Sequence, residues 1–320
     1  MGKNIRYDRI FSALIVVAVV SFATVNTIIS RHENSSSLNT NNSSVSDSTV
    51  SLETTVPDGN YETITLAYSN IKKGSLVLTN LSNYLGNDDA PNSLVPIYSN
   101  KSDCYRVKDL ETSLTSSTVK ALNNLLTAYN QEHDADEIMV TSGYRTVEQQ
   151  NEYYQEYLKS TNDVFKGGVF PGGFSDYNTG AGFDLGIFPK SGESSSYYTP
   201  DGEYSWIAEN ASQYGFILRY PADKTGITNH KTLTYHFRYV GFPHSYYMTQ
   251  NNLCLEEYIE ELKQYTATPL KISAFSKDYE IYYIRANENS DTVAYIPKNV
   301  SYTVSGNNID GFILTLERDQ

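Results

Sequence analysis

The chain has 320 residues, 39% of them hydrophobic, and a mean hydropathy of -0.44, so it contains enough apolar material for one full-sized core with appendages. Its formal net charge of -13 excludes nucleic acids and anionic membrane surfaces as attractive partners, because both would repel it at long range. We therefore expect an acidic globular protein with no nucleic-acid partner.

The N-terminal segment, residues 1–30, is predicted to be a short cytoplasmic stub followed by a transmembrane anchor. A basic stretch precedes an uncharged run from Ile10 to Ile29 that is about long enough to cross a bilayer. A cleaved signal peptide is the alternative, because Ser21 and Ala23 are small residues of the kind that a signal peptidase prefers. Either interpretation exports the rest of the chain, as a single-pass protein of the cell membrane or as a secreted protein.

Residues 31–60 are rich in Ser, Thr and Asn and almost free of aromatic residues. Such a segment cannot bury enough apolar surface to offset its chain entropy, so we predict a disordered linker. This linker would hold the folded domain away from the membrane, in a cell wall or extracellular layer.

The two cysteines of the chain, Cys104 and Cys254, allow two interpretations. In an oxidising compartment they could pair, whereas isolated thiols are often small buried hydrophobes. The sequence leaves both open.

The fold is predicted to begin at Tyr61, where aromatic and β-branched residues become frequent. Ser116 to Glu132 has apolar residues at helical spacing after a Ser/Thr entry, which predicts an amphipathic helix. Glu137 to Thr141 predicts a short strand. Thr146 followed by Gln149 is a capping-box pattern, which predicts a helix that begins there and runs to about residue 159. Arg145 therefore lies at a strand-to-helix junction, a common position for a residue that points into a site.

The following elements are predicted from short periodic stretches. They are a helix at Tyr204–Tyr214, a strand at Phe216–Tyr220, a strand at Tyr235–Val240 and a helix at Leu255–Tyr265. Helices mixed with short strands, without βαβ regularity, favour an α+β domain over residues 61–265. Residues 266–320 alternate between short strand-like segments, which predicts a small β-rich C-terminal appendage.

Two stretches contain residues suited to a metal site: FSDYNTGAGFDLG, Phe174 to Gly186, and LTYHFRYVG, Leu233 to Gly241. A catalytic zinc requires about three protein ligands, typically imidazoles and a carboxylate, and an open position for water. Asp184 and His236 are of the right type and could point from neighbouring strands into one cleft. A turn role for Asp184 and a structural role for His236 are the alternatives.

Four segments together make the chain resemble zinc D-alanyl-D-alanine carboxypeptidases of the VanY type. They are SGYRT at Ser142–Thr146, the pattern S-x-x-x-x-G-x-x-x-D at Ser175–Asp184, GFILRYP at Gly215–Pro221 and HFRYVG at His236–Gly241. The resemblance covers Lys73 to Tyr265 and implies the DD-peptidase fold, which is shared with the zinc domain of Hedgehog proteins. It also implies a zinc cofactor and, as substrate, the D-Ala-D-Ala end of the peptidoglycan stem peptide.

The chain departs from this family at two positions of the zinc chemistry. The first zinc-binding histidine falls on Tyr177 and the catalytic glutamate falls on Leu233, so only Asp184 and His236 remain as metal ligands. The resemblance implies that the glutamate moves the proton of the zinc-bound water, a role that leucine cannot fill. A phenol is neutral at its ordinary pKa of about 10, so we expect zinc to be weak or absent.

Three other residues are considered as substitutes. His230, in the loop ITNHKT, could replace the missing ligand only by finding tetrahedral geometry without a matched second shell. Asp176 and Glu148 are acidic residues close in sequence, but neither occupies a position that the family uses for the base.

The residues that hold the substrate in the family are retained. Arg145 corresponds to the arginine that anchors the scissile carbonyl and the carboxylate, while Gln150, Ser175 and Tyr220 correspond to pocket-lining positions. A surface salt bridge is the alternative role for Arg145, and turn or core packing is the alternative for Ser175 and Tyr220.

Three functions follow from this combination. The favoured one is a catalytically silent VanY-like domain that binds peptidoglycan stem peptides or a cell-wall protein. The second is an active zinc metallocarboxypeptidase that removes the terminal D-Ala with groups that the sequence does not reveal. The third is an extracytoplasmic scaffold with a vestigial pocket.

Overall fold

The computed structural model of the protein describes residues 60–162, 164–189 and 194–320. The predicted anchor lies outside these residues, as does the predicted linker apart from its last residue. In the described ranges, no helix combines the length and the apolar character that crossing a membrane requires.

The described residues form a mixed α/β structure. The strands are β1 (Tyr61–Leu66), β2 (Leu94–Pro96), β3 (Arg106–Val107), β4 (Ser113–Thr115), β5 (Ile138–Ser142), β6 (Gly182–Ile187), β7 (Ser196–Tyr197), β8 (Phe216–Tyr220), β9 (Leu233–Tyr239), β10 (Leu270–Ala274), β11 (Lys277–Arg285), β12 (Thr292–Pro297), β13 (Ser301–Gly306) and β14 (Gly311–Asp319). The α-helices are α1 (Ser116–His133), α2 (Val147–Ser160), α3 (Ser205–Asn210), α4 (Thr225–Thr228), α5 (His244–Gln250) and α6 (Leu255–Leu262). Short 3-10 helices cover Tyr68–Lys72, Asn87–Asp89, Asp176–Thr179, Gly202–Tyr204, Ala211–Tyr214 and Ala222–Lys224.

A central sheet carries the candidate site. Its strand order is β3-β5-β6-β9-β8, and β7 pairs with β6. β3 runs parallel to β5, and the other pairs are antiparallel. In this register Asp184 of β6 lies opposite His236 of β9 on one side and Ser142 of β5 on the other. The sheet therefore brings the two predicted metal ligands side by side.

The two long helices follow their predicted sequence patterns. The Thr115 hydroxyl accepts a hydrogen bond from Thr118 N at the start of α1, and the apolar face of α1 is buried against the sheet. Thr146 and Gln149 form both hydrogen bonds of the capping box at the start of α2. Both predicted helices are confirmed, and Arg145 lies at the predicted junction between β5 and α2.

The helix predicted at 204–214 is broken into α3 and two flanking 3-10 turns. The second turn, Ala211–Tyr214, ends at Gly215, whose φ of 91° lies in the left-handed region. The chain must reverse there so that Phe216, which is fully buried, enters β8. A 3-10 turn is a common way to end a helix, and here it leads the chain into Gly215 and β8.

The strands predicted for the C-terminal segment are present as a sheet of order β10-β11-β14-β13. β12 pairs with β1, so the first strand of the domain and the C-terminal segment are joined by backbone hydrogen bonds. One hydrophobic cluster combines Met248 and Tyr258 with Leu270, Ile281 and Ile313. The segment thus shares a core with the preceding residues, and its division at residue 266 stays a prediction.

Both cysteines are free thiols. Cys254 is buried and Cys104 is partly buried. The structure therefore agrees with the interpretation of unpaired cysteines. Cys254 is a small buried hydrophobic residue.

Candidate binding pocket

The predicted site residues meet at one pocket of about 530 Å³. The four residues predicted to hold the substrate all line it, namely Arg145, Gln150, Ser175 and Tyr220. Tyr177, Asp184 and Leu233 line the same pocket. His236 lies behind this lining and is fully buried. The residues that the resemblance assigns to substrate and to metal are therefore neighbours in space.

Tyr177 bonds directly to the carboxylate that the resemblance assigns to zinc. Its hydroxyl lies 2.7 Å from both Oδ1 and Oδ2 of Asp184 and donates its hydrogen bond to this carboxylate. Burial raises the pKa of Tyr177 well above its usual value, and the nearby Asp184 raises it further. The residue is therefore a neutral phenol that donates a hydrogen bond, and it has no phenolate oxygen to offer a metal.

His236 is held between two carboxylates. Its Nδ1 lies 2.7 Å from Asp184 Oδ1, and its Nε2 lies 3.1 Å from Asp176 Oδ2. Burial alone would lower the pKa of His236, but the hydrogen bonds to Asp176 and Asp184 outweigh it and raise the pKa. With a carboxylate facing each nitrogen, the ring is stabilised as an imidazolium, which has no lone pair left for a metal.

Asp176 is the centre of a buried charge cluster. The sequence suggests it only as a substitute base. Asp176 is 1% exposed and pairs with Arg238, while Arg219 Nε lies 3.6 Å away. Burial opposes ionisation, but Arg238, the hydrogen bond from His236 and Arg219 hold the pKa of Asp176 well below its usual range. A carboxylate stabilised in this way is a poor proton acceptor, so Asp176 does not replace the missing glutamate.

Glu256 of α6 completes the cluster by accepting two hydrogen bonds from Arg219, at 2.9 and 2.7 Å. Sequence reasoning did not identify this role. The indication was present in FILRY and HFRYV, because an arginine inside a strand that is otherwise apolar is buried and requires carboxylate partners. The cluster ties the turn at Asp176 to β8, β9 and α6.

Glycine at position 182 permits this close arrangement. A Cβ atom there would collide with the Asp176 carboxylate and lie 3.2 Å from His236 Nε2. The glycine lets the turn that carries Asp176 pack directly on β6.

Arg145 is fixed by side chains of both polar and aromatic type. Its Nη1 donates to Gln150 Oε1 at 2.9 Å and its Nη2 to Ser142 Oγ at 3.1 Å. The guanidinium carbon lies 3.9 Å from the Tyr153 ring centroid and 4.0 Å from that of Tyr177. The group is thus sandwiched between two rings, an arrangement that favours a cation.

Gln150 is itself held in place, because its Nε2 donates to Phe170 O at 2.7 Å and its side chain is fully buried. Its Oε1 is therefore oriented toward Arg145. Gln150 positions the arginine and lines the pocket at the same time.

His230 stacks on Tyr220, with ring centroids 3.9 Å apart, and Tyr220 stacks on His236 at 5.3 Å. The Tyr220 ring therefore separates His230 from the Asp184–His236 pair. His230 Nδ1 donates to Lys231 O at 2.8 Å, and burial lowers its pKa to about 4, so the ring is neutral. His230, considered above as a substitute metal ligand, instead lines the pocket through its stacking on Tyr220.

The residues present do not fit a catalytic zinc. Asp184 is bonded by Tyr177 and His236, and His236 has both nitrogens directed at carboxylates. Among the described residues, no group of three or more His, Cys, Asp or Glu side chains is arranged to hold a metal ion. Leu233 lines the pocket where the resemblance puts the base, and Glu148 does not line it.

The fold and this pocket define a domain of the D-Ala-D-Ala peptidase class. The family model for D-alanyl-D-alanine carboxypeptidase, VanY, matches residues 111–242. The bifunctional D-Ala-D-Ala dipeptidase and carboxypeptidase VanXYC of Enterococcus gallinarum is 35% identical over 161 residues, covering 49% of this chain and 82% of that protein. The chain belongs to the VanY family.

Two further comparisons agree with this assignment. A D-alanyl-D-alanine carboxypeptidase of Enterococcus faecium is 39% identical over 178 residues, which cover 56% of this chain and 53% of that protein, about half of its length. The crystal structure of the vancomycin resistance D,D-dipeptidase VanXYg, in complex with a D-Ala-D-Ala phosphinate analogue, superposes with a TM-score of 0.72 at 31% identity. The superposition covers 81% of this chain and 100% of the VanXYg chain.

Proposed function

We propose that this protein binds the carboxylate end of a peptidoglycan stem peptide and does not cleave it. One observation carries the proposal. The pocket keeps an arginine that Gln150, Ser142 and two aromatic rings hold in place, while Leu233 occupies the position of the catalytic glutamate. Membership of the VanY family, whose members are named for acting on D-Ala-D-Ala, supports this choice of ligand.

Arg145 has the free donors that a carboxylate requires. Gln150 and Ser142 use one hydrogen bond each, and a guanidinium has more N–H donors than these two partners occupy. Within the described ranges no carboxylate is paired with Arg145, although the whole chain is strongly acidic. A planar, pre-positioned guanidinium favours paired hydrogen bonds to a carboxylate ligand.

The loss of the proton-transferring side chain at the family's glutamate position, Leu233, supports a protein that does not cleave its ligand. Proton transfer by a positioned side chain contributes about 10²- to 10⁴-fold to such reactions, and Leu233 has no proton to exchange. Arg238 and His236 balance the charge of the Asp176 carboxylate inside the buried cluster and stabilise its ionised form. Asp176 therefore cannot act as the base.

The cellular setting is part of the same proposal. The predicted anchor at Ile10–Ile29 and the linker after it would hold the domain at the outer face of the cell membrane, where stem peptides are found. The partner would then be cell-wall peptide, bound without a metal cofactor.

Calorimetric titration of the purified full-length protein with a pentapeptide ending in D-Ala-D-Ala tests this function. We expect binding in the presence of a chelator, and a loss of about 10- to 100-fold in Arg145→Ala because charge-assisted hydrogen bonds disappear. Arg285→Ala, which alters an exposed arginine of β11, is the matched control and should bind like the wild type. Absence of binding, or equal affinity of wild type and Arg145→Ala, would overturn the proposal.

A further inference from the structure

One wall of the pocket is a pair of stacked tyrosine rings that the anchoring of the carboxylate does not use. Tyr197 and Tyr235 stack with their ring centroids 4.2 Å apart and their planes 17° apart. Both line the pocket, and Tyr197 is 61% exposed. The outer face of the pair is therefore open to a ligand.

Tyr197 is held firmly although it is exposed. Its strand, β7, pairs with β6, and the next residue, Tyr198, is fully buried. Tyr198 N donates to Leu185 O at 3.1 Å, and Thr234 Oγ1 donates to Tyr198 O at 3.0 Å. A ring mounted on a fixed backbone and supported by a second ring loses little freedom when a ligand covers it, which favours binding.

The charges around the pocket argue against a cation as the ligand of this wall. An aromatic face attracts ammonium groups, but Arg145 and Lys108 line the same pocket. Among the described residues that line the pocket, the one carboxylate is Asp184, and it is bonded to Tyr177 and His236. An ammonium group would thus meet two cations, and this carboxylate is already bonded.

The polar neighbours of the wall argue for a ligand that is neither charged nor wholly apolar. Ser195 and Ser196 are exposed and line the pocket beside Tyr197, and Thr141 lines it as well. A purely apolar ligand would cover the hydroxyls of Ser195 and Ser196 without offering them hydrogen-bond partners, at a cost for each. A sugar ring matches both features, because it presents C–H groups on its face and hydroxyl groups at its edge.

We propose that the tyrosine wall, Tyr197 with Tyr235, binds a sugar ring of the glycan to which the stem peptide is attached. The ligand would then be a glycopeptide whose carboxylate is at Arg145. This inference rests on the proposed function, which fixes one end of the ligand. Tyr177 contacts Arg145 and bonds Asp184, and the anchor and the tyrosine wall line the same pocket.

The test compares two soluble ligands: the pentapeptide ending in D-Ala-D-Ala, and the same pentapeptide attached to N-acetylmuramic acid. For the full-length wild type we expect the glycopeptide to bind about threefold to tenfold more tightly, the size of one good aromatic contact. In Tyr197→Ala the ratio of the two affinities should fall to about one. Tyr302→Ala, which alters another exposed tyrosine outside the pocket, should keep the wild-type ratio.

The outcomes separate this inference from the proposed function. If the peptide binds and the sugar adds nothing, the sugar site is overturned and the peptide site stands. If neither ligand binds, the proposed function fails and the sugar site fails with it. A pentapeptide with an acetylated side-chain ammonium supplies the remaining control. If the effect of Tyr197→Ala follows that ammonium instead of the sugar, the wall is a cation site and the inference is wrong.

Discussion

The two sides of the pocket differ in how far they keep the family pattern. On the anchoring side, Arg145 and Gln150 are present and held in a fixed geometry. On the side of the metal chemistry, Asp184 is present, but Tyr177 and Leu233 stand where a histidine and a glutamate are expected. Holding a peptide and cleaving it depend on different side chains, so one set can change while the other is retained.

The changed side is rebuilt with its own contacts. Tyr177 donates to the Asp184 carboxylate, its ring packs edge-on against His236 at 4.7 Å, and the Arg145 guanidinium lies over the same ring. Tyr177 thus removes the ligand that the family has at this position and adds an aromatic contact to Arg145. The contrast between the two sides, the buried cluster behind them and one buried histidine outside the pocket predict three further effects.

The largest effect is expected from restoring the metal side. Tyr177→His together with Leu233→Glu should change the protein from one without stoichiometric zinc to one that binds it. A second imidazole then supplies the third ligand, and zinc displaces the proton that His236 shares with Asp184. Metal content after dialysis against zinc measures this change. Leu233→Glu alone is the matched control and should gain no zinc. A double variant without zinc would mean that the aligned positions do not face one site.

The next effect concerns the buried cluster behind both sides. Arg238→Met should lower the free energy of unfolding by about 3–5 kcal/mol, because Asp176 would keep a buried charge without its main partner. Urea unfolding measures this loss. Lys263→Met removes a partly exposed cation that pairs with the largely exposed Glu260 and, at 3.5 Å, with the partly exposed Asp310, and it should change stability little. A similar small effect in both variants would contradict the central role assigned to the cluster.

The smallest effect is a pH dependence that arises away from the pocket. His244 is buried against Tyr258 and Thr315, and burial lowers its pKa to about 3. As pH falls below about 6.5, His244 becomes protonated in the unfolded chain but stays neutral in the folded chain. The free energy of unfolding therefore falls by up to about 1.4 kcal/mol per pH unit. Unfolding free energies measured between pH 6.5 and 4 should fall less steeply in His244→Gln. Equal slopes would contradict this assignment, and pentapeptide affinity at neutral pH should be the same in both proteins.

Much of this structure follows from local sequence patterns. The helices α1 and α2 were predictable because their caps and apolar spacing are encoded within a few residues. The pairing of Asp184 with His236 was predictable from the resemblance, which fixes the positions of both strands.

Other features depend on contacts between distant segments and left little local trace. The role of Asp176 requires Arg238, 62 residues away in sequence. The stacking of Tyr197 on Tyr235 joins two strands that each pair with β6. The break in the helix at 204–214 reflects the need to turn at Gly215, a tertiary constraint that overrides helix propensity.

We propose that the pocket holds the peptide and leaves it intact. The most direct test incubates the full-length protein, supplied with zinc, with the pentapeptide and measures both bound metal and released D-alanine. We predict peptide binding, no stoichiometric zinc and no D-alanine above the level of a protein-free control. Stoichiometric zinc together with enzyme-dependent release of D-alanine would contradict the account.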